Sequence, residues 1–221
     1  MIPVAILCGG RGSRLGALTS DVPKPMIEIG GSPYLERVVE SFAVRGLRSI
    51  VLLTGYRSEV IESHFGDGSR FGVEIRYSVE REPLGTGGAV REAGALLGSR
   101  FVLTYGDVLR QFAYDRFVSG HQGSCLGVYR RITFGNTAVE GERVIRFDKN
   151  ARDLDFVDAG FSLMETCSID LLPEGVSSFE EVVYSTLATR GELDAEVVDH
   201  AFHDIGTLDE LARTRATMEA R

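Results

Sequence analysis

A short apolar run, Pro3 to Leu7, feeds into Cys8-Gly9-Gly10-Arg11-Gly12-Ser13-Arg14-Leu15 and then into Asp21-Val22-Pro23-Lys24-Pro25-Met26. The three glycines let the backbone turn sharply and bring its N–H groups against an anion with no Cβ in the way. Arg14 adds a forked cation, and Lys24 adds a point charge on a segment stiffened by Pro23 and Pro25. Together these residues are equipped to hold a nucleoside triphosphate. Arg11 is open to two readings, a solvated side chain or a phosphate contact.

Charge sharpens this expectation. The chain carries a formal net charge of −8, which speaks against nucleic acid as a partner, since binding a phosphate backbone needs a basic face. Residues 1–26 nevertheless hold Arg11, Arg14 and Lys24 against Asp21 alone. Positive charge placed against the global trend suggests a focused anion site. Of the 24 basic residues, all but Lys24 and Lys149 are arginine. Either this is chance, or those two positions need a compact ammonium rather than a planar fork.

The 221 residues suffice for one α/β domain with a substantial core. At 43% hydrophobic and 25% charged, the composition is that of a globular protein, with no apolar run near the ~18 residues of a membrane span. Met1-Ile2-Pro3-Val4 lacks a basic leader. Cys8, Cys125 and Cys167 have no metal-ligand spacing and suit a reducing compartment. The expected location is cytoplasmic, and no pattern specifies an oligomeric state. His64, His121, His200 and His203 show no ligand spacing either. His203 either orients its neighbour Asp204 or is structural.

Strand-like and helix-like stretches alternate through the first half. Ser32-Pro33 reads as an N-cap and N1 pair ahead of a helical face of Leu35, Val38, Val39 and Phe42. Ser49 to Thr54 reads as a buried strand, and Ser58 as the cap of a helix bearing Val60, Ile61 and Phe65. A Gly66 to Ser69 turn leads into an alternating strand through Val73, Ile75, Tyr77 and Val79. Glu80 to Gly88 reads as a glycine-rich loop, Ala89 to Leu97 as a helix, and Phe101 to Tyr105 as a strand ended by Gly106-Asp107. Further on come a helix at Phe117-Val118, a strand Cys125 to Tyr129, a hairpin turn at Val139 to Val144 and a strand Val197 to Phe202. Ser178 with Glu181 and Thr207 with Glu210 form two capping boxes. The expected fold is α/β, a doubly wound, Rossmann-like, mostly parallel sheet with antiparallel additions in a single domain. In such sheets ligands lie outside the carboxyl ends of the strands, where both glycine-rich loops and Asp107 fall.

The chain resembles the sugar-phosphate nucleotidylyltransferase family. The resemblance rests on Ala5 to Leu15 and Pro23-Lys24-Pro25, followed in order by Glu82-Pro83-Leu84-Gly85-Thr86-Gly87-Gly88-Ala89, Gly106-Asp107, Phe134-Gly135 and Asp204-Ile205-Gly206-Thr207. It runs nearly end to end and is greatest for the short single-domain D-glycero-D-manno-heptose 1-phosphate guanylyltransferases. It implies one nucleotidyltransferase domain over residues 1–221, with 1–115 mainly nucleotide-binding and 116–221 mainly sugar-phosphate-binding.

The implied substrates are a nucleoside triphosphate and a sugar 1-phosphate, joined with release of pyrophosphate. A sugar phosphate has a second pKa near ~6, by analogy with phosphoserine, and is already an anionic nucleophile. The protein must then screen and align two anions, which needs no serine, cysteine or histidine nucleophile. By resemblance Leu7, Gly9, Gly10, Gly12, Ser13, Arg14, Glu80, Gly85 and Gly88 contact the nucleotide, Arg14 at the leaving phosphates. Lys24 bridges the two substrates, and Asp107 and Asp204 hold Mg²⁺, a hard cation suited to carboxylates. Arg14, Lys24 and Asp107 form the implied catalytic set. Gly135, Lys149, Asp158 and Gly160 match the blocks that bind the sugar phosphate.

Glu80 has a physical argument of its own. Guanine presents N1–H and N2–H₂ side by side, which one carboxylate can accept, so the expected triphosphate is GTP. The alternative is a rim carboxylate paired with Arg81. Three departures from the family pattern bear on the sugar. Asp148-Lys149 replaces Glu-Lys, Asp158-Ala159-Gly160 replaces Asn-Ala-Gly, and Tyr105 takes a small or amide position. Glu180 reads as a sugar contact or as a helix N-terminal charge. Mannose 1-phosphate guanylylation and N-acetylmuramate 1-phosphate uridylylation are the alternatives within the class. A molybdopterin guanylyltransferase would lack the Pro-Lys-Pro and Asp-Ile-Gly-Thr blocks. A non-catalytic nucleotide-sugar sensor is the alternative outside the class.

Overall fold

The computed structural model describes residues 2–130, 134–198 and 202–219. Its frame is a nine-stranded sheet. The parallel part comprises β1 (Val4–Leu7), β4 (Ser49–Thr54), β5 (Glu74–Val79) and β6 (Arg100–Tyr105). A small hairpin, β2 (Glu28–Ile29) with β3 (Ser32–Pro33), precedes α1 (Tyr34–Ala43), and α2 (Ser58–Phe65) and α3 (Gly85–Glu92) complete the first half. After β6 come β7 (Val108–Arg110), α4 (Tyr114–Gly120), β8 (Cys125–Arg130), β9 (Thr137–Glu140), β10 (Arg143–Phe147) and β11 (Phe156–Glu165). The chain closes with α5 (Ser185–Arg190), β12 (Asp194–Val197), β13 (Phe202–Asp204) and α6 (Leu208–Glu219). The nine strands lie in the order β5-β4-β1-β6-β11-β8-β12-β10-β9, with β11 antiparallel to both β6 and β8 and β12 parallel to β8.

The period-2 alternation of the strands divides the core in two. Val4, Ile6, Ile50, Leu52 and Val102 face the layer containing α1, α2 and α4. Ala5, Val51, Leu53, Phe101 and Leu103 face the layer containing α3 and α5. Packing rather than propensity holds α1. Its Val38, Val39 and Phe42 cost at most about 0.7 kcal/mol each as helix formers, whereas burying a large apolar side chain contributes about 1.5–3 kcal/mol. Tyr34, Leu35, Val38, Val39 and Phe42 are all buried.

Several local expectations shift. Ser32-Pro33 is strand, and α1 begins at Tyr34 with Pro33 extended, because the hairpin with Glu28–Ile29 claims the expected cap. Ser58 is the first residue of α2, and left-handed Arg57 occupies the cap position. Gly85 to Gly88 form the first turn of α3 rather than loop, docked through the Gly87 N–H on the Ser177 carbonyl. Only half of the Ser178 box forms, the Glu181 N–H donating to Ser178 Oγ. At Thr207 the side chains of Thr207 and Glu210 bond each other at 2.8 Å. The expected strand Val197 to Phe202 belongs to two strands, β12 and β13, and residues 199–201, with His200, lie outside the described residues. Among the described residues no helix is long and apolar enough to cross a membrane.

Candidate functional site

Strand order reverses beside β1, whose neighbours are β4 and β6. All three run parallel, with Leu7 level with Leu53 and Tyr105, so the loops that follow them emerge on one edge. That edge bounds a cleft of about 700 Å³ lined by Leu7, Gly9, Gly10, Gly12, Ser13, Arg14, Lys24, Glu80, Gly85 and Asp107, with Tyr56, Thr86 and Tyr105 among its other walls. The structure thus brings together every sequence-selected nucleotide residue except Gly88. A Cβ on Gly88 would fall 2.6 Å from the Gly175 carbonyl, so this glycine faces the packing side of α3 and not the cleft.

Two glycines of the loop have identifiable reasons. Gly12 sits at φ 68°, and a Cβ there would meet Lys24 Cβ at 2.7 Å. A Cβ on Gly9 would fall 2.7 Å from the Glu80 carboxylate. The loop therefore closes directly over both the lysine and the acid. Tyr56, which the sequence reading passed over, clamps it. The Tyr56 N–H donates to the Gly9 carbonyl at 3.1 Å, and its hydroxyl donates to the Ser20 carbonyl at 2.5 Å. The Arg11 guanidinium lies 4.9 Å from the Tyr56 ring centre, a stacked position that neither reading of Arg11 anticipated. The position of Tyr56, two residues past β4 on the loop-bearing edge, was the available signal.

Glu80 accepts the Leu84 N–H at 3.1 Å, and no Arg81 ion pair forms among the described residues. Burial raises its pKa from the ordinary value, the Leu84 bond opposing this in part. An acid held this way in a cleft gains from a ligand that offers it N–H donors.

Lys24 and Asp107 form an ion pair at the cleft floor. β7 pairs with β13, setting Asp204 opposite Val108, and the Ile205 N–H donates to the Asp107 carbonyl at 3.2 Å. The two aspartates are thereby neighbours. The Asp204 pKa is raised by burial and then by the charges of Glu210 and Asp107, while Arg213 and Lys24 oppose the rise. The two carboxylates present the hard oxygen donors a divalent cation takes. The pair fits such an ion, although no group of three or more acidic, histidine or cysteine ligands occurs among the described residues. Arg14 is exposed, and its Nη2 lies 3.7 Å from the point a Cβ on Gly206 would occupy, beside the Asp204 turn.

A second cavity of about 530 Å³ is lined by Asp158, Gly160 and Asp204 together with Val108, Arg110, Tyr129, Phe202 and Arg213. It holds two of the four sugar-phosphate candidates. Gly135 is not one of them: a Cβ there would lie 2.0 Å from the Leu154 carbonyl, so this glycine permits close backbone packing and lines neither cavity. Lys149 is displaced as well. Its ammonium donates to Ser178 at 3.2 Å and to Glu180 at 3.3 Å, beside Tyr105 and Thr86 rather than in the second cavity. Asp148 closes its own turn, accepting the Asn150 N–H at 3.0 Å.

Glu180 is the buried acid that the sequence disguised as helix-terminal charge. It is 3% exposed and accepts hydrogen bonds from Tyr105, from Ser178 at 2.6 Å and from Thr86 at 2.7 Å. Burial pushes its pKa up, but bonds from Ser178, Tyr105 and Thr86 and the Lys149 charge outweigh this and hold it low. Asp158 has fewer such partners. Burial pushes its pKa up to about 7, the Gly160 N–H opposing and the Glu180 charge reinforcing the rise. Tyr105 therefore ties the network together rather than merely narrowing the site. Cys8 is buried, its thiol bonded to the Leu53 carbonyl at 3.2 Å, which makes it a packing residue.

Comparison with known proteins agrees with this geometry. Residues 4–157 match the model of the nucleotidyl transferase family. The mannose-1-phosphate guanylyltransferase of Mycobacterium tuberculosis is 32% identical over 98% of this chain, which spans 64% of that protein. The D-glycero-alpha-D-manno-heptose 1-phosphate guanylyltransferase of Campylobacter jejuni is 32% identical over 91% of this chain and 93% of its own length. The crystal structure of HddC from Yersinia pseudotuberculosis, also solved in complex with GMP-PN, superposes with a TM-score of 0.83 at 25% identity, covering 99% of this chain and 100% of that one. The protein belongs to the nucleotidyl transferase family.

Proposed function

We propose that this protein transfers a guanylyl group from GTP to a sugar 1-phosphate, with a heptose 1-phosphate as the favoured acceptor, and releases pyrophosphate. The observation that carries this reading is the Lys24–Asp107 pair. It stands on the floor of the nucleotide cleft, with Asp204 of the second cavity beside it. The triphosphate lies along the Gly9 to Ser13 loop, its base edge at Glu80. Lys24 screens the repulsion between the α-phosphate and the incoming sugar phosphate, and Arg14 neutralises the departing pyrophosphate. Asp107 and Asp204 would hold Mg²⁺, which supplies charge neutralisation to the phosphate oxygens when bound. Lys149, 46% exposed at its side chain, keeps solvent-facing donors for the sugar phosphate.

Guanylyl transfer is supported by the names of both relatives and by the GMP-PN complex of HddC. Heptose is favoured because the Campylobacter enzyme matches this chain along nearly its whole length. Mannose 1-phosphate is the second reading, favoured by the mycobacterial relative at equal identity. The presence of Arg14, Lys24, Asp107 and Asp204 together argues against a non-catalytic sensor. A panel of nucleoside triphosphates against sugar 1-phosphates, read by pyrophosphate release, tests the assignment. GTP with a heptose 1-phosphate gives the highest kcat/KM, and EDTA abolishes it. No turnover with any pair of folded protein and Mg²⁺ would overturn the reading in favour of the sensor.

A further inference from the structure

Arg110 is 4% exposed, yet its Nε and Nη1 have no hydrogen-bond partner among the described residues. A buried donor left without an acceptor costs about 1–3 kcal/mol, and more when charged. The guanidinium is also held in place. It lies 4.5 Å from the ring centre of Phe202 and 5.6 Å from that of Tyr129, and β7 places Val108 and Arg110 on the cavity side with Leu109 between them. A fixed cation on a cavity wall, with donors that no protein group takes, is a recognition element awaiting oxygen acceptors.

The wall chemistry narrows what those oxygens belong to. Asp158, Asp204 and Glu210 face the same cavity as Arg110 and Arg213. Three carboxylates against two guanidinium groups disfavour a second anion and suit neutral hydroxyls, which both donate and accept. Position adds a ruler. Arg110 follows Asp107 by three residues, about 10 Å in an extended strand. With the reacting phosphate at Asp107, the residue meets the end of the acceptor farthest from that phosphate.

We infer that Arg110 is a specificity-determining residue that hydrogen-bonds the hydroxylated side chain of the sugar 1-phosphate, beyond the ring, at the far end of the second cavity. The inference rests on the proposed transfer reaction and deepens it by assigning the choice of sugar to one side chain.

Arg110→Met removes the donors while keeping volume and the stack on Phe202. Two of the guanidinium nitrogens lack hydrogen-bond partners, so an apolar side chain of similar size lowers the melting temperature by no more than a few degrees. Its KM for D-glycero-D-manno-heptose 1-phosphate rises about 10- to 100-fold, the loss expected when a charged donor is removed from a hydrogen bond. KM for GTP is unchanged, and KM for mannose 1-phosphate, with its shorter side chain, moves far less. Arg110→Lys, which keeps a single charged donor, falls between the two proteins. An unchanged heptose KM, equal losses for heptose, mannose and GTP, or a marked drop in melting temperature would overturn the inference and make Arg110 structural. Calorimetric binding of the heptose 1-phosphate alone separates this from the reaction. If the wild type binds the sugar phosphate without turnover and Arg110→Met binds it more weakly, the transfer reading fails and the role of Arg110 stands. Equal binding by both proteins sinks the role of Arg110 whatever the turnover.

Discussion

The glycine-rich edge of the first cleft and the Glu180 network beside it are built on different principles. The cleft is assembled from loops that leave parallel strands on one edge of the sheet, so its residues cluster in sequence and act largely through backbone. Gly9, Gly10 and Gly12 matter there because they lack side chains, and the chain order shows them at once. The Glu180 network, which shares Thr86 and Tyr105 with the wall of the cleft, depends on individual side chains from distant elements: Thr86 and Tyr105 from the first half, Lys149 from the turn after β10, and Glu180 from the segment before α5. Its charges are mostly neutralised by one another, so each depends on partners that sequence order does not place beside it.

Lys24→Ala tests this contrast with the largest expected effect. Removing a charge that acts where negative charge accumulates lowers kcat by about 10²–10³-fold. The nucleotide loop does not depend on the ammonium for its conformation, so the melting temperature shifts by only a few degrees, as circular dichroism would show. A variant that lost stability in proportion to activity would place Lys24 in the scaffold instead.

Glu80→Gln comes next. An amide accepts only one of the two guanine donors, and a bidentate contact of this kind contributes about 1–3 kcal/mol to base discrimination. Preference for GTP over UTP in kcat/KM falls by about 10- to 100-fold, while KM for the sugar phosphate is untouched. A retained preference would move base reading to the backbone.

Asp158→Asn has the smallest effect and sharpens the other side of the comparison. The folded state holds this carboxyl's pKa up to about 7, above its ordinary 3.8, chiefly through burial. Between those values the folded protein binds more protons than the unfolded one, so stability falls as pH rises through the window and the loss is complete above it. The asparagine variant cannot titrate. Relative to it, the wild type melts at a lower temperature at pH 8 than at pH 5, in paired thermal scans. Parallel pH profiles for the two proteins would show that Asp158 is solvated.

What could be read in advance follows the same division. Strands β1, β4 and β6 were legible because a parallel sheet buried on both faces shows as apolar runs, such as Ile50 to Leu53. The first turn of α3 was not, since Gly85 to Gly88 look like a loop until docking against Ser177 makes them helical. Leu7, Gly9, Gly10, Gly12, Ser13, Lys24, Glu80 and Asp107 were legible as residues that line one cleft because chain order and strand direction coincide. Gly88 and Gly135 misled, because a glycine needed for close packing is written the same way as one needed for a ligand. Glu180 and Arg110 were hidden for a third reason. Their roles depend on burial, which pairing along the sheet decides and no local pattern announces.

The central claim is that two sites meet at Lys24 and Asp107 so that the sugar phosphate attacks the α-phosphorus directly, with no nucleophile from the protein. Stereochemistry at that phosphorus tests it most directly. With one diastereomer of guanosine 5′-O-(1-thiotriphosphate) and a heptose 1-phosphate, a single in-line displacement predicts a product with inverted configuration, readable by phosphorus NMR. Retention of configuration would require two displacements through a covalent nucleotidyl-protein and would contradict this account.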